Sequence, residues 1–506
     1  MFFMQALIQE LIETEKLTKN KVESIKRKYV RDGTLETFPL NVHIWKACNS
    51  EQKEKLRMVL NTKPTRSMAG VSIIAIMPKP NGCPARCTFC PEGKNAPKSY
   101  TGFEPSTMRS IRNNYDAYKT VTERVAALKR TGHLTDKNEI IIQGGTFPSY
   151  EWDYQKEFVK RSFDGLNGEI SETLAEAQKK NETAENRCIG LTVETRPDWI
   201  FPEQFLELGC TRIEMGLQSI SDEVLEAVNR GHTVQQFKDA VKVLKEAGYK
   251  ILYHIMPGLP KTTFEMDVKM MTEIFENEDF RPDMFKIYPT LVMPDTELYD
   301  QWKAGEYDPK DEEYYIKVIE EAYRRAPKWT RLMRVQRDIP AQYIGAGPKK
   351  GNLREYVEAN LIEEDYPVKE IRFREAGQVY KRTGKVAKNI ELFVEKYRSS
   401  GGDEYFISAE DKNQDIILGF CRLRLGERPE AMLRELHVYG SVTGIGAEGQ
   451  DTQHKGWGTK LMKKAEEIAR EAGRKKMLVI SGVGVREYYK NVHGYSRDGW
   501  YMGKNL

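Results

Sequence analysis

Long apolar runs are missing from this chain. Among its 506 residues nothing approaches the roughly 18 consecutive apolar residues of a membrane-spanning helix, and the longest strongly apolar run, "VSIIAIM" at 71–77, is strand length. A membrane is therefore excluded as a partner. Cysteine is scarce as well: seven in the whole chain, an odd count that does not suit an exported disulfide framework and fits a reducing compartment better. The opening "MFFMQALIQELIETEK" lacks the basic flank and unbroken apolar core of a signal peptide and carries acids at helical spacing. We read it as an amphipathic helix of a cytoplasmic protein. There is no internal repeat and no low-complexity segment. Net charge is small too, +4, but unevenly placed. Between Lys16 and Arg31 seven basic residues face one acid, Glu23, and from Arg324 to Arg337 six basic residues face none. One such run is as readily a solvated helix face; two in a nearly neutral chain point to an anionic polymer partner.

What is present is length and order. A chain of 506 residues, 40% hydrophobic and 30% charged, implies two or three globular domains. From residue 70 onward short β-branched runs alternate with helical patterns, giving strand candidates at Val71–Met77, Glu139–Gln143, Cys188–Glu194, Thr211–Leu217, Lys250–Met256 and Met284–Tyr288. Six β/α repeats imply an α/β fold with a parallel sheet, either doubly wound or a partial barrel, and in both the functional groups gather at the C-terminal ends of strands. Residues 310–337 read as helix and "IPAQYIGAGPKKGN" as a turn-rich connection. From about 370 antiparallel-looking strands precede the amphipathic helix "TKLMKKAEEIAREAG", with Leu461, Ala465, Ile468, Ala469 and Ala472 on one face, and a final strand and helix close a second α/β unit. The expected organisation is a basic helical region at 1–66, a β/α core at 67–340, a linker at 341–369 and a second domain at 370–506.

The stretch "GCPARCTFCP" sets Cys83, Cys87 and Cys90 in a C-x3-C-x2-C array after the first strand. A structural zinc needs a fourth ligand that no neighbouring pair supplies, and a redox pair leaves Cys83 idle. Three thiolates can hold three irons of a cubane cluster and leave the fourth iron open. In this position the array resembles the radical S-adenosylmethionine (SAM) superfamily, which implies a [4Fe-4S] cluster whose open iron binds SAM. That resemblance gives Gly144 and Gly145 as the pair admitting the methionine moiety, with Glu194 and Gln218 as weaker contacts on the same rim. A tight turn and helix capping are the plain alternatives for these residues.

The second motif is "QHKGWG" at 453–458, between the strand "LRELHVYG" and a helix beginning near Thr459. Glycines there free backbone N–H groups at a helix N-terminus, where the dipole favours a pyrophosphate. The pattern looks like the acetyl-coenzyme A cradle of GNAT-type acetyltransferases. Downstream, Tyr488 and Tyr489 cannot both face a core, which leaves one for a ligand. His437 and Glu435, near the acyl end in this reading, are candidates for a general base or for plain strand packing.

Together these motifs resemble the catalytic-subunit family of Elongator, the tRNA wobble-uridine modifying acetyltransferases. The resemblance runs over essentially the full length, on "KPTRSMAGVSIIAIM", "SYTGFEPSTMRSIRNNYD", "IIIQGGTF", "RIEMGLQS", "NRGHT", "RVQRDIPAQYI" and "VISGVGVREYYKNVHGY". It implies a partial (β/α)6 radical SAM barrel fused to a GNAT-type domain, with Cys83, Cys87 and Cys90 as cluster ligands. It places acetyl-coenzyme A on Glu435, Leu436, His437, Val438, Trp457, Gly458, Thr459 and Tyr489, and on Lys137, whose role rests on the resemblance alone; Lys137, His437 and Tyr489 become the catalytic candidates. Family members often carry a Cys/His zinc site between the domains; here no cysteine lies between Cys210 and Cys421, and packing or ion pairs are expected in its place.

The implied reaction uses a SAM-derived 5′-deoxyadenosyl radical to take a hydrogen from the acetyl methyl of acetyl-coenzyme A; that carbon adds to C5 of uridine 34, and loss of an electron and a proton, then thioester hydrolysis, gives 5-carboxymethyluridine. The implied partners are the tRNA anticodon stem-loop, gripped by the two basic runs, and an electron donor for the cluster; homo-oligomerisation and accessory Elongator subunits stay open. Two rival readings are a protein lysine acetyltransferase with a structural cluster and a non-enzymatic tRNA-binding scaffold.

Overall fold

The computed structural model describes residues 2–61, 70–439 and 456–506. Its centre is a seven-stranded, wholly parallel sheet in strictly consecutive order, made of β1 (Ser72–Ile76), β2 (Lys137–Ile142), β3 (Arg187–Thr195), β4 (Arg212–Gln218), β5 (Lys250–Ile255), β6 (Met284–Ile287) and β7 (Arg331–Val335). Consecutive order with helical crossovers curls the sheet one way, and β1 and β7 each keep a free edge, so the result is a half-barrel. Ile74, Ile140, Leu191, Ile213, Ile251 and Phe285 are fully buried against the outer helices. Six of these strands lie within two residues of their sequence expectation.

The seventh strand corrects it. The helix expected over 310–337 runs from Glu312 to Arg325, capped by Asp311, whose carboxylate accepts from Tyr314 N–H at 2.8 Å. Pro327 cannot extend it, and Arg331–Val335 then pairs with β6. The basic run is thereby split and largely paired: Arg324 with Glu364, Arg325 with Glu321, Lys328 with Glu410 at 3.6 Å and Arg331 with Glu375. It is not one phosphate-gripping surface; only Arg334 and Arg337, past the middle of β7, reach the cysteine cleft. The stretch expected as a linker is likewise structured, since the Leu353–Glu363 helix buries Leu353, Val357 and Leu361 in the barrel core.

At the N-terminus four helices, Phe2–Glu13, Lys19–Arg31, Asn41–Ala47 and Ser50–Leu60, enclose Leu7, Leu11, Val22, Ile44, Leu56 and Leu60. The basic helix 19–31 does not present all its cations. Lys26 is only 3% exposed, donating to Glu23 at 2.7 Å and Asn41 at 2.9 Å beneath the Phe38 ring, because it shares the buried face with Val22. Arg27, Lys28 and Arg31 remain on the surface.

The second sheet has the order β13-β14-β12-β11-β10-β9-β8, from β8 (Glu391–Ser399), β9 (Gly402–Asp411), β10 (Ile416–Leu425), β11 (Ala431–Val438), β12 (Lys476–Val479), β13 (Ser496–Asp498) and β14 (Tyr501–Asn505). All its pairings are antiparallel except β11–β12. The Trp457–Glu471 helix lies on it through Leu461, Met462, Ala465 and Ala469; Ala472, expected on that face, is the exposed C-cap.

The two sheets meet at the opening ends of the barrel strands. Arg434 on β11 donates to Asp283 at 2.6 and 2.8 Å, to Glu404 at 2.9 Å and to the Tyr249 carbonyl at 2.7 Å. Asp283 and Tyr249 immediately precede β6 and β5. Gly482 lets the following turn touch β3, where a Cβ would meet the Ile189 carbonyl oxygen at 2.0 Å. Around "RFREAGQVY", Arg374 pairs with Glu410 and with Asp415 at 2.6 Å, so ion pairs occupy the junction where a zinc site was in doubt. Among the described residues no helix is long and apolar enough to cross a membrane.

Candidate active site

The loop after β1 carries the three cysteines into a cleft of about 1050 Å³, its open mouth included, at the C-terminal ends of the barrel strands. Cys90 N–H closes a turn on the Cys87 carbonyl at 3.1 Å, and Thr88 is stitched by backbone bonds to Val228 at 3.1 Å and Leu298 at 2.9 Å. The thiols share an apolar bed with Ala85, Phe89, Val224, Leu259 and Leu298. Burial, reinforced by the neighbouring Cys87 and Cys83, pushes the Cys90 thiol up to about 12. A thiol held in its neutral form by burial becomes a favourable ligand once a multivalent cation is beside it. None is in a disulfide; the other four cysteines are buried elsewhere, Cys188 and Cys210 pushed up to about 12 by burial. The donor set fits a cluster held by three protein sulfurs.

Beside it, β2 ends in the glycine pair. Gly144 has φ +138° and Gly145 φ +81°, conformations that favour glycine, and a Cβ on Gly144 would press the Pro78 ring at 3.3 Å. Gly144 N–H donates to Glu194 at 3.2 Å, and the same carboxylate accepts from Tyr100 at 3.0 Å. Glu194 therefore fixes the turn. Gln218 ends β4 with φ +66°, and its Oε1, like that of Gln143, has no partner while lining the cleft. Such buried orphan acceptors are costly unless a ligand donates to them.

Sequence reasoning missed several residues here. Arg230 donates to Gly216 O at 2.9 Å and to His232 Nε2 at 3.0 Å and reaches Cys87 Sγ at 3.6 Å. Burial and the adjacent Arg230 depress His232 to about 4, leaving it a neutral acceptor. Inside the barrel Glu214 accepts from Lys286 and from His254 at 3.0 Å. Burial opposes its charge, but Lys286, His254 and Arg212 hold its carboxyl well below the usual range. "NRGHT" marked the position of Arg230; its aim at a sulfur is set only by the fold.

The acyl candidates lie at the other end of the same strands. On β11, Glu435 is buried and accepts from Arg422 at 2.8 Å; Leu436 and His437 are half-buried and Val438 exposed. His437 stacks between Phe420 and Tyr439, and its Nε2 has no hydrogen-bond partner. Burial pushes its imidazole down, with Glu435 acting against this and Arg331 with it. The charges of Lys250 and Arg331, which open β5 and β7, thus reach the β11 strand, as does that of Arg212 at the start of β4. Lys137 is exposed at the first position of β2, on this same end.

Gly456, with φ +95°, precedes the helix that Trp457, Gly458 and Thr459 begin; Gln453, His454 and Lys455 of the motif lie outside the described residues. Tyr489 is packed in the helix–sheet core, where burial and the nearby Tyr488, Cys421 and Glu435 raise its phenol. Tyr488, which had no assigned role, is 36% exposed with its hydroxyl 2.7 Å from where a Gly458 Cβ would stand. The pair divides as expected between core and surface, and Tyr488 is the one beside the glycines.

Family models match along the whole chain: the ELP3 N-terminal domain at 1–68, the radical SAM superfamily at 77–274, the radical SAM C-terminal domain at 282–363 and the acetyltransferase (GNAT) family at 361–495. A tRNA uridine(34) acetyltransferase of Methanocaldococcus infernus is 44% identical over 99% of this chain and 98% of its own. The Elongator complex protein 3 of Drosophila melanogaster is 40% identical over 99% and 95%. A solved structure of the M. infernus Elp3 lacking its N-terminus superimposes with a TM-score of 0.77 at 43% identity, covering 87% of this chain and all of that one. With such identity over its full length, the chain belongs to the family of the archaeal tRNA uridine(34) acetyltransferases and Elongator complex protein 3.

Proposed function

We propose that this protein is an acetyl-coenzyme A-dependent, radical SAM tRNA-modifying enzyme that converts wobble uridine 34 into 5-carboxymethyluridine. The observation that carries the reading is the three-thiol cleft at the C-terminal ends of the half-barrel strands, with the β11 strand of the second sheet packed against their opening ends. Full-length relatives named for uridine 34 support the substrate. Chemistry supports the radical route, because C5 of uridine is too weak a nucleophile for ordinary acyl transfer. Cys83, Cys87 and Cys90 would hold a [4Fe-4S] cluster, which with SAM and an external electron donor would supply radical chemistry in the cleft.

The chain's own residues then have separable tasks. Gly144 and Gly145, pinned by Glu194, admit the methionine moiety close to the backbone. Arg230 sets a cation against Cys87. The N–H groups at Trp457, Gly458 and Thr459 receive the pyrophosphate of acetyl-coenzyme A, and Glu435 to Val438 hold its arm. Lys137 approaches the donor from the first position of β2. His437, with Nε2 unpartnered and its imidazole pushed toward the neutral form by burial, can take the proton of the water that opens the thioester. Arg27, Lys28 and Arg31 hold stem phosphates in place of the inward Lys26.

The decisive experiment is anaerobic turnover with tRNA, SAM, a reductant and methyl-deuterated acetyl-coenzyme A, followed by mass analysis. Deuterium in both 5′-deoxyadenosine and the modified uridine is expected. Turnover of SAM with no label in the nucleoside sinks the proposal.

A further inference from the structure

Close to the cysteine cleft lies an aromatic pair that the reaction outlined above does not use. Phe103 and Tyr343 stack face to face, with ring centroids 3.9 Å apart and planes 7° from parallel. They join two segments distant in sequence, the loop that follows the cysteines and the short turn Ala341–Tyr343. Phe103 is nevertheless 44% exposed. Isolated exposed aromatics need no explanation, but this one is held out deliberately by its backbone. Phe103 N–H donates to Thr101 Oγ1 at 3.2 Å, while Thr101 and Gly102 N–H donate to the Glu104 carboxylate at 2.9 and 3.2 Å. Glu104 is itself buried and bonded to Thr107. Tyr343 is backed by Leu291, Met293 and Ile344.

Neither ring lines the cleft, but residues close to both in the chain do. Tyr100 and Glu104 on one side, and Arg337 and Asp338 on the other, line it directly. Three cations line the approach: Arg337, which bonds the Ser99 carbonyl and lies over the Tyr100 ring at 5.3 Å, Lys98, paired with Glu92 at 3.1 Å, and Arg334, paired with Asp338 at 3.0 Å. A flat ring with one covered face, presented on a fixed loop and flanked by positive charge, matches an unpaired base of an RNA strand, which offers a π-face and a phosphate together.

We propose that the Phe103–Tyr343 pair is a stacking platform for the unpaired nucleobase adjoining the one that enters the cleft. The platform fixes the register of the loop, so that the neighbouring base is the one presented to the reacting groups. The inference rests on the reading of a tRNA substrate and adds to it the surface that positions the strand.

The test uses the full chain and an anticodon stem-loop RNA carrying 2-aminopurine immediately next to the target uridine. Binding to the unmodified protein quenches the fluorophore by stacking. Phe103→Leu, which keeps an apolar side chain, and Phe103→Ala both lose the quenching and weaken binding by about 5- to 100-fold; Phe103→Trp retains both. If the unmodified protein binds the RNA but Phe103→Leu matches it in affinity and quenching, the platform is overturned while the tRNA reading stands. Capture of a protein on this face with RNA binding unaltered in Phe103→Ala overturns it equally. Failure of the unmodified protein to bind the stem-loop removes both.

Discussion

The two ends of the half-barrel strands are built on opposite principles. At the C-terminal ends the cleft is open, floored by three thiols and lined by acceptors, Gln143 and Gln218, that the protein leaves unpaired. At the opening ends the charged groups of the seam are matched in ion pairs, Arg434 with Asp283 and Glu404, Arg422 with Glu435, Arg424 with Glu246 and Glu404, although His437 Nε2 there has no partner. The difference separates an end that leaves acceptors open to a cleft from an end whose ion pairs hold two sheets in register. An unpaired buried acceptor is a standing cost that a ligand can remove, whereas a buried ion network tolerates no missing member.

The largest expected effect tests the independence of the two ends. Cys87→Ala abolishes nucleoside product, yet acetyl-coenzyme A affinity, measured by titration calorimetry, stays unchanged; a joint loss would mean that the ends do not function separately. Next comes the seam. Asp283→Ala leaves buried Arg434 with Glu404 and Arg422 with Glu435 as their remaining acidic partners, and denaturant unfolding should report a loss of about 3–5 kcal/mol. A loss under 1 kcal/mol would show that the network is dispensable. Third, His437→Ala slows product formation by about 100-fold or more through the thioester step, with SAM and tRNA affinities intact; an unchanged rate removes His437 as the base.

The smallest effect is a pH dependence of the seam. Lys245 is fully buried against the Arg281 carbonyl and Ser399 Oγ, and burial together with Arg434 and Arg424 depresses it to about 7, against the opposing pull of Asp283 and Glu404. Its folded value lies below its unfolded value, so between pH 7 and the ordinary lysine range the unfolded chain binds more protons. Stability therefore rises with pH across that window, by at most about 1.4 kcal/mol per unit, and falls back as pH drops toward 7. Lys245→Met should flatten the slope in unfolding titrations; an unchanged slope would assign it to other groups.

Much of the first sheet could be read directly from the chain because each strand is a short β-branched run bounded by Gly, Pro or polar residues, signals that need no tertiary information. β7 escaped because Arg331 and Arg334 continue a cationic, helix-like pattern, and only pairing with β6 makes them a strand. The cysteine triad was legible because its spacing is itself the chemistry. Arg230 and Glu214 were not, because a side chain's partner across the barrel is decided by curvature and register. Lys26 shows the same limit at smaller scale: a basic run announces charge, but which of its members turns inward depends on the helix face.

The length of β4 has a last consequence. It runs seven residues, from Arg212 at the seam with the second sheet to Gln218 in the cleft. At about 3.3 Å per residue the strand is a ruler of roughly 20 Å. That fixed interval of hydrogen-bonded strand keeps the ion-paired seam and the open cleft apart, so a side chain exchanged at one end of β4 meets none of the groups at the other.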